Sequence, residues 1–223
     1  MEKKLFFSAI IKFILGLIIV GASIFIPAGT FEYWNGWLFM GVLFIPMFIA
    51  GIILMGKNPK LLKSRLSAKE KEPSQKQVVL FSGLMFLSGF IVAGLNYRFC
   101  WIMIPDLVAI ISSIVFLLAY ILYAEVLREN SYLSRTIEVQ KEQKVVDTGL
   151  YGVVRHPMYL VTIVLFLTMP LILGSVSSFF IFLVYPIIIA KRIKNEEEVL
   201  ERELNGYTEY KKRVKYKLIP FVW

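Results

Sequence analysis

The sequence predicts an all-α, polytopic integral membrane protein with about six membrane helices, ending in a C-terminal helical hairpin and a cytosolic tail. Three observations support this prediction. Of the 223 residues, 57% are hydrophobic and only 18% are charged, which is more apolar than soluble globular domains are. Several runs carry almost no charge over the roughly 20 residues that a helix needs to cross a membrane. The basic residues are also distributed asymmetrically among the connecting segments.

The predicted membrane helices lie in five of these apolar runs. The first four helices cover approximately residues 5–26, 34–56, 78–97 and 104–127. A fifth run, from Tyr159 to Ala190, has no charge but is awkward as one helix, because its middle contains Pro170, Gly174 and three serines. Such residues indicate a turn. The run therefore predicts the two arms of a hairpin, which brings the number of membrane helices to six.

The basic residues lie almost entirely on one face of the predicted bundle. Under this topology, 23 of the 25 Lys and Arg residues fall at the termini and in the loops of that face; the exceptions are Lys12, within the first helix, and Arg98. By the positive-inside rule, the N- and C-termini are then cytosolic. The net charge of +9 follows from this topology, and it favours membrane lipids with anionic headgroups over nucleic acid as partners.

Two regions follow from this arrangement. Residues 1–127 form a four-helix transmembrane region, and its cytosolic loop 57–77 is polar, contains two prolines and is predicted to be partly disordered. Residues 128–223 comprise a cytosolic segment, the helical hairpin and the tail. The last membrane helix is expected to continue through Leu204 and to end at Asn205-Gly206. The tail is expected to lie over the hairpin.

Polar residues concentrate at the two ends of the hairpin. Arg155 and His156 precede the uncharged run, and Arg192, Glu196 and Glu197 follow it. The tyrosine three residues after the histidine shares its helical face, and the arginine shares a face with the first glutamate, four residues on. Because a hairpin returns to the membrane face it left, these side chains are predicted to meet at one cytosolic rim.

Each of these residues also has an interpretation without function. Arg192 and Glu196 could form a surface ion pair, His156 could cap a helix, Tyr159 could anchor at the membrane interface, and Arg155 could be one more positive-inside residue. The meeting of the only histidine with the carboxylates at one rim favours chemistry. With a single histidine and a single cysteine in the chain, a zinc centre is disfavoured and no metal is predicted.

The motif Arg155-His156-Pro157-Met158-Tyr159, followed by Glu196-Glu197-x-x-Leu200, resembles the signature of the isoprenylcysteine carboxyl methyltransferase family, which is similar in turn to membrane phospholipid methyltransferases. The resemblance extends from residue 140 to residue 223, through Gly149-Leu150-Tyr151, Gly206-Tyr207-x-x-Tyr210 and Leu218-Ile219-Pro220. It implies S-adenosyl-L-methionine as the methyl donor, held in a pocket formed by the cytosolic segment, the hairpin and the tail.

Site residues are implied by position within this resemblance. Arg192 stands where the family places an arginine that handles the substrate carboxylate, and it is therefore the expected catalytic and substrate-binding residue, with Glu197 as a second substrate-binding residue. The implied cofactor contacts are Gln140, Gln143, Lys144, Val145, Val146, Tyr151, His156, Pro157, Met158, Tyr159 and Glu196.

The chemistry of the side chains agrees with this assignment. Glu196 suits the cofactor ammonium, the helix start and His156 suit its carboxylate, and the apolar Val145, Val146 and Met158 suit its adenine. The chain contains no glycine-rich G-x-G-x-x-G loop, so a soluble Rossmann-type methyltransferase domain has no support. A carboxylate nucleophile needs no general base, whereas an amine would need one.

The preferred hypothesis is therefore a membrane methyltransferase that methylates a carboxylate of a lipidic or prenylated, isoprenylcysteine-like acceptor. A phospholipid N-methyltransferase is the alternative, with His156 or Glu197 as the base. A transporter or non-catalytic membrane protein is disfavoured, because intramembrane charges are few. A membrane NADPH-dependent reductase would need a cationic clamp for phosphate, for which the basic tail from Lys211 to Lys217 is the candidate.

Overall fold

A computed structural model of the protein describes residues 2–66, 73–134, 136–137 and 139–223. Over these residues the chain is helical without strands, apart from one isolated bridge between Met103 and Ser175, which confirms the all-α prediction. The helices are α1 (Glu2–Ala28), α2 (Trp34–Lys57), α3 (Pro59–Leu66), α4 (Pro73–Phe99), α5 (Asp106–Glu129), α6 (Pro157–Ile172), α7 (Val176–Phe182), α8 (Tyr185–Glu203) and α9 (Tyr207–Arg213).

Five stretches are long and apolar enough to span a membrane: Lys3–Ala28, Trp34–Lys57, Gln75–Phe99, Asp106–Glu129 and Val176–Glu203, the last of which joins α7 to α8. Many large apolar side chains in these stretches face outward, as a lipid environment requires. The first arm of the hairpin, α6, has 16 residues and rises about 24 Å, less than the ~30 Å of a hydrocarbon core. The predicted count of six is reached only if this shorter helix is included.

The loop predicted at 57–77 contains a helix that the sequence interpretation missed. The side-chain oxygen of Asn58 accepts a hydrogen bond from the N–H of Leu61 at 3.1 Å, and Pro59 is the first residue of α3. Asparagine followed by proline is a favourable helix start, although the proline had suggested a break. The loop is therefore helical from Pro59 to Leu66. The prediction of partial disorder stays a prediction, because residues 67–72 lie outside the described part of the chain.

The hairpin turn predicted near Gly174 is present, and α2 holds it in place. The hydroxyl of Tyr33 donates to the carbonyl of Leu173, and the side-chain amide of Asn35 donates to the carbonyl of Ile172 at 3.0 Å. These bonds satisfy carbonyl groups at the end of α6 that have no intrahelical partner. The contact between α2 and the hairpin thus links the two predicted regions, whose division at residues 127/128 stays a prediction.

Helices α1 and α4 approach each other closely at Gly94. A Cβ atom on this residue would meet the backbone oxygen of Ile24 and would come within 3.0 Å of the backbone nitrogen of Ala28. Since the neighbouring atoms belong to backbone, they cannot rotate away as a flexible side chain would. Only glycine allows α1 and α4 to pack at this distance.

We expect Gly94→Ala to lower the free energy of unfolding by about 1–3 kcal/mol, the usual cost of inserting atoms into a packed contact. Denaturant unfolding in detergent micelles measures the change. Gly51→Ala is the matched control, because nothing lies within 4 Å of the added Cβ and alanine is the better helix former. Equal losses in the two variants would contradict the role of Gly94 in helix packing.

The basic end of the bundle, where α4 begins and α8 ends, is covered by two segments that pack on each other. One is the segment before α6, and the other is the C-terminal tail. The N–H of Arg155 donates to the carbonyl of Tyr216, and the N–H of His156 donates to the carbonyl of Lys217, both at 2.9 Å. The tail therefore lies over the start of the hairpin, as the sequence predicts.

Candidate functional site

A cavity of about 470 Å³ opens at the basic end of the bundle, within the ~300–1,000 Å³ range of small-molecule sites. Its walls combine the membrane helices α4, α6 and α8 with the segment around residues 130–146 and with α9. Toward the membrane its lining is largely apolar and includes Val79, Phe86, Phe166 and Ile189. The cavity can thus hold a ligand with one polar and one lipidic part.

Most of the residues predicted from the sequence line this cavity. They are Gln143, Lys144, Val145, Val146, Tyr151, His156, Met158, Tyr159, Arg192 and Glu196. The other three, Gln140, Pro157 and Glu197, are not part of its lining. The hairpin and the preceding segment therefore gather the predicted residues as expected, and their individual roles stay predictions.

A chain of polar contacts along the cavity wall joins α6 to α8 and α8 to α4. The hydroxyl of Tyr159 donates to the carboxylate of Glu196 and accepts from Nε of Arg192 at 2.8 Å. Nη1 of Arg192 also contacts Oε1 of Gln75 at 3.4 Å. The phenol therefore connects the two charged side chains of α8, and Arg192 is held by groups from two neighbouring helices.

Glu197 is the centre of a buried ionic network on the other side of α8. Its carboxylate accepts from Nε of Arg155 at 2.7 Å, lies 3.2 Å from Nε2 of His156 and lies 3.2 Å from Nζ of Lys217. Only 4% of Glu197 is exposed. The prediction that Glu197 binds substrate finds no support in this position, because its carboxylate is committed to joining α8, the start of α6 and the tail.

Arg155 is equally committed to this network. Beyond its ion pair with Glu197, its Nη1 donates to the carbonyls of Val214 and Lys215 at 2.7 and 2.8 Å. Its side chain is buried. Arg155 is therefore more than one basic residue of this membrane face, since its guanidinium ties the tail to α8.

His156 stands at the N-cap position of α6, but its side chain makes no capping hydrogen bond. The helix-capping interpretation of its ring is therefore wrong. Its backbone N–H donates to Lys217, its Nε2 contacts Glu197, and Pro157 has no N–H to offer. The N–H of Tyr159 turns back to the carbonyl of His156 at 3.1 Å. Most of the donors that were predicted to bind a carboxylate at this helix start are thus engaged in contacts within the protein.

Gln140 forms hydrogen bonds within the segment that leads to Gln143, the next of the predicted cofactor contacts. Its side-chain amide donates to the carbonyl of Tyr132 at 2.7 Å, and its N–H donates to the side-chain oxygen of Gln143 at 2.8 Å. The N–H of Gln143 returns a bond to the carbonyl of Gln140 at 3.1 Å. Gln140 therefore shapes the turn that brings Gln143 to the cavity.

Sequence reasoning missed several residues of the lining. Tyr207 and Tyr210, from α9, line the cavity and belong to the Gly206-Tyr207-x-x-Tyr210 motif, which was the available signal. Tyr185 stands inside the uncharged run, where nothing distinguishes it from packing residues. Arg65 reaches the cavity from α3 and donates to the carbonyl of Ser134 at 3.3 Å; it was missed because the helix that carries it was missed.

Two tyrosines of the site outside the membrane helices, Tyr207 and Tyr151, remain protonated at physiological pH. Burial raises the pKa of Tyr207, and the negative charges of Glu197 and Glu196 raise it further. Burial also raises the pKa of Tyr151, whose hydroxyl has no hydrogen-bond partner among the described residues. Both phenols are therefore neutral hydrogen-bond donors.

Fold and site together define a polytopic membrane protein whose hairpin and tail build a polar cavity at one membrane face, with an apolar extension between its helices. Residues 107–202 match the isoprenylcysteine carboxyl methyltransferase (ICMT) family. The match covers less than half of the 223 residues, and a match to this family indicates a membrane methyltransferase.

The chain is also similar to the Delta(14)-sterol reductase TM7SF2 of Mus musculus. The two are 30% identical over 91 residues, which is 40% of this chain and 22% of the mouse protein. The similarity therefore spans less than a quarter of the relative's length.

Proposed function

We propose that the protein is an S-adenosyl-L-methionine-dependent methyltransferase that methylates a carboxylate of a lipidic, isoprenylcysteine-like acceptor, with its basic end facing the cytosol. The observation that carries the proposal is the Glu196–Tyr159–Arg192 network, which lines a cavity whose other walls are apolar and lie between membrane helices. The match of residues 107–202 to the methyltransferase family supports the reaction class. The cavity geometry supports an acceptor with a polar head and an apolar tail.

The residues of the cavity fit this cofactor. Glu196 provides a carboxylate for its ammonium, and Val145, Val146 and Met158 provide apolar surface for its adenine. The buried hydroxyl of Tyr207 has no hydrogen-bond partner in the described part of the chain, so the site offers a donor that a polar ligand can use. When bound, the cofactor supplies a methyl group activated by the adjacent sulfonium.

Arg192 is proposed to orient the acceptor carboxylate. Its guanidinium is held by Tyr159 from α6 and by Gln75 from α4, which restricts the plane in which it presents its donors. A planar guanidinium matches the two oxygens of a carboxylate, and alignment is the main contribution required of the protein in such a displacement. The apolar walls formed by α4, α6 and α8 then hold the lipidic part.

The alternative of phospholipid N-methylation requires a base for the amine proton. The two candidate bases, His156 and Glu197, contact each other at 3.2 Å, and Glu197 is not part of the cavity lining. A histidine and a carboxylate that are engaged in one buried network are poorly placed to accept a proton from a ligand. This arrangement favours a carboxylate over an amine as the nucleophile.

The similarity to a sterol reductase keeps an NADPH-dependent reductase as the second candidate function. In such a reductase, the basic side chains of the tail would have to bind the phosphates of NADPH. Lys211 is paired with Glu201, Arg213 is paired with Asp147, and Lys217 contacts Glu197. Three of the five basic residues from Lys211 to Lys217 thus have carboxylate partners, and none of the five lies in the cavity lining. The tail therefore supports a phosphate clamp in this cavity poorly, and the methyltransferase is preferred.

We expect the purified protein to bind S-adenosylhomocysteine and Glu196→Gln to weaken that binding about 10- to 100-fold, since an ammonium left without its carboxylate costs ~1–3 kcal/mol. Glutamine keeps an oxygen for Tyr159, so the effect isolates the charge. Isothermal titration calorimetry in detergent micelles measures the affinity, with NADPH as the competing candidate.

Glu198→Gln, two residues further along the helix and exposed, is the control and should leave the affinity unchanged. Binding of NADPH without binding of S-adenosylhomocysteine would overturn the proposed function in favour of a reductase. Unchanged affinity in Glu196→Gln would remove this residue from the cofactor site.

A further inference from the structure

The side chain of Tyr207 is buried at the cavity wall, and its hydroxyl makes no hydrogen bond to the described residues. It is the first residue of α9, it is 4% exposed, and it lines the cavity. Its hydroxyl has no hydrogen-bond partner among the described residues. Tyr210, one helical turn on, differs in this respect, because its hydroxyl donates to the carbonyl of Tyr151 at 2.7 Å.

Packing and backbone hold Tyr207 in this position. Gly206 has a φ of +84°, a conformation that favours glycine and turns the chain sharply after α8. The N–H of Tyr207 then donates to the carbonyl of Leu204 at 3.2 Å. Its ring packs near that of Tyr210, with 5.7 Å between the ring centroids, in a cluster that includes Val214. The hydroxyl is therefore kept in place although burial without a partner is unfavourable.

The charges around this hydroxyl identify the kind of group it binds. Burial and the carboxylates of Glu197 and Glu196 raise the pKa of the phenol, so Tyr207 acts as a donor and its ligand must supply an acceptor. That acceptor lies close to Glu196, the proposed partner of the cofactor ammonium. An amino-acid end carries both an ammonium and a carboxylate, and the carboxylate is the acceptor.

Several of the donors predicted from the sequence for that carboxylate are already in use. The N–H of His156 donates to Lys217, its Nε2 contacts Glu197, and Pro157 has no N–H. The hydroxyls of Tyr207 and Tyr151 are both buried on the lining without a partner among the described residues, and that of Tyr207 is influenced by the carboxylates of both Glu196 and Glu197.

We propose that Tyr207 donates a hydrogen bond to the carboxylate of the amino-acid end of the bound cofactor, while Glu196 binds the ammonium of the same end. The proposal rests on the proposed function, because it takes S-adenosyl-L-methionine as the ligand. It makes α9, which lies beyond the part of the chain that matches the family, a direct contributor to cofactor recognition.

The test is Tyr207→Phe, measured with two ligands that differ only in the carboxylate. S-adenosylhomocysteine carries it, and its decarboxylated analogue lacks it but keeps the ammonium. We expect the variant to bind S-adenosylhomocysteine about 10- to 100-fold more weakly, as for a lost hydrogen bond to a charged group, and to bind the decarboxylated analogue as the wild type does. The melting temperature of the ligand-free variant should not fall, because the hydroxyl it loses is unpaired.

Tyr210→Phe is the matched control. It removes the bond to the carbonyl of Tyr151, so it should lower the melting temperature of the ligand-free protein without discriminating between the two ligands. A comparison within the wild type needs no variant: S-adenosylhomocysteine should bind at least about tenfold more tightly than the decarboxylated analogue.

Three outcomes would overturn the inference. If the wild type binds both ligands equally, the site has no carboxylate donor and Tyr207 cannot be one. If Tyr207→Phe keeps its affinity for S-adenosylhomocysteine, or loses affinity equally for both ligands, Tyr207 has no specific contact with the carboxylate. If the wild type binds neither ligand, the proposed function itself fails and the inference falls with it.

Discussion

Glu197→Ala is expected to lower the free energy of unfolding by about 3–5 kcal/mol, the cost of removing one partner from a buried ion pair. The substitution leaves the guanidinium of Arg155, which lies 2.7 Å from the carboxylate, buried without its counter-charge. It also removes the contacts of Glu197 with His156 and Lys217, so the tail loses an anchor on α8. Denaturant unfolding in detergent micelles measures the change.

Glu198→Ala is the control for this variant, because Glu198 is adjacent and exposed, and it should change the stability by less than about 0.5 kcal/mol. Arg155→Met combined with Glu197→Leu should cost less than the sum of the single losses, since neither partner is then left as an unpaired buried charge. Equal effects for Glu197→Ala and Glu198→Ala would show that the network contributes little to stability.

Arg192→Lys should reduce methyl transfer about 10²-fold while leaving the affinity for S-adenosylhomocysteine unchanged. Lysine keeps the positive charge but lacks the planar set of donors with which Arg192 contacts Tyr159 and Gln75. A small misplacement of a reacting group is enough for a loss of that size. The assay is transfer of a radiolabelled methyl group to small isoprenyl-thioether carboxylic acids.

Lys194→Arg, at an exposed position of the same helix, controls for a change of cation on α8 and should retain full turnover. A joint fall of affinity and turnover in Arg192→Lys would assign Arg192 to the cofactor pocket or to the fold. If neither quantity changed, Arg192 would have no role in orienting the acceptor, and the carboxylate as nucleophile would lose its main support.

The membrane helices were predictable because their signal is local. An uncharged run of sufficient length favours a helix in lipid whatever its neighbours are, and α1, α2, α4 and α5 lie where such runs predicted them. The helix α3 was missed because its apolar face is short and its first residue is a proline. Two buried leucines, Leu61 and Leu62, hold it on the bundle, and that contact depends on tertiary packing.

Much of the candidate site followed from the same local reasoning, because helical periodicity places Tyr159 near His156 and Glu196 near Arg192 on their own helices. The role proposed for Tyr207 could not be predicted by this local reasoning. Its motif was visible in the sequence, but the unpaired state of its hydroxyl depends on what packs around it. Arg65 illustrates the same limit, since it reaches the cavity from a helix far away in the chain.

Local pattern was sufficient to predict a bundle whose hairpin returns its polar ends to one face, because apolar transfer and helical periodicity act over short stretches of chain. The surroundings of the two adjacent glutamates, Glu196 and Glu197, depended on packing. Successive helical residues point about 100° apart, so Glu196 lines the cavity while Glu197 turns toward Arg155. The tail completes that network through Lys217, and no local pattern predicts an ion pair between segments that meet only when the chain has folded.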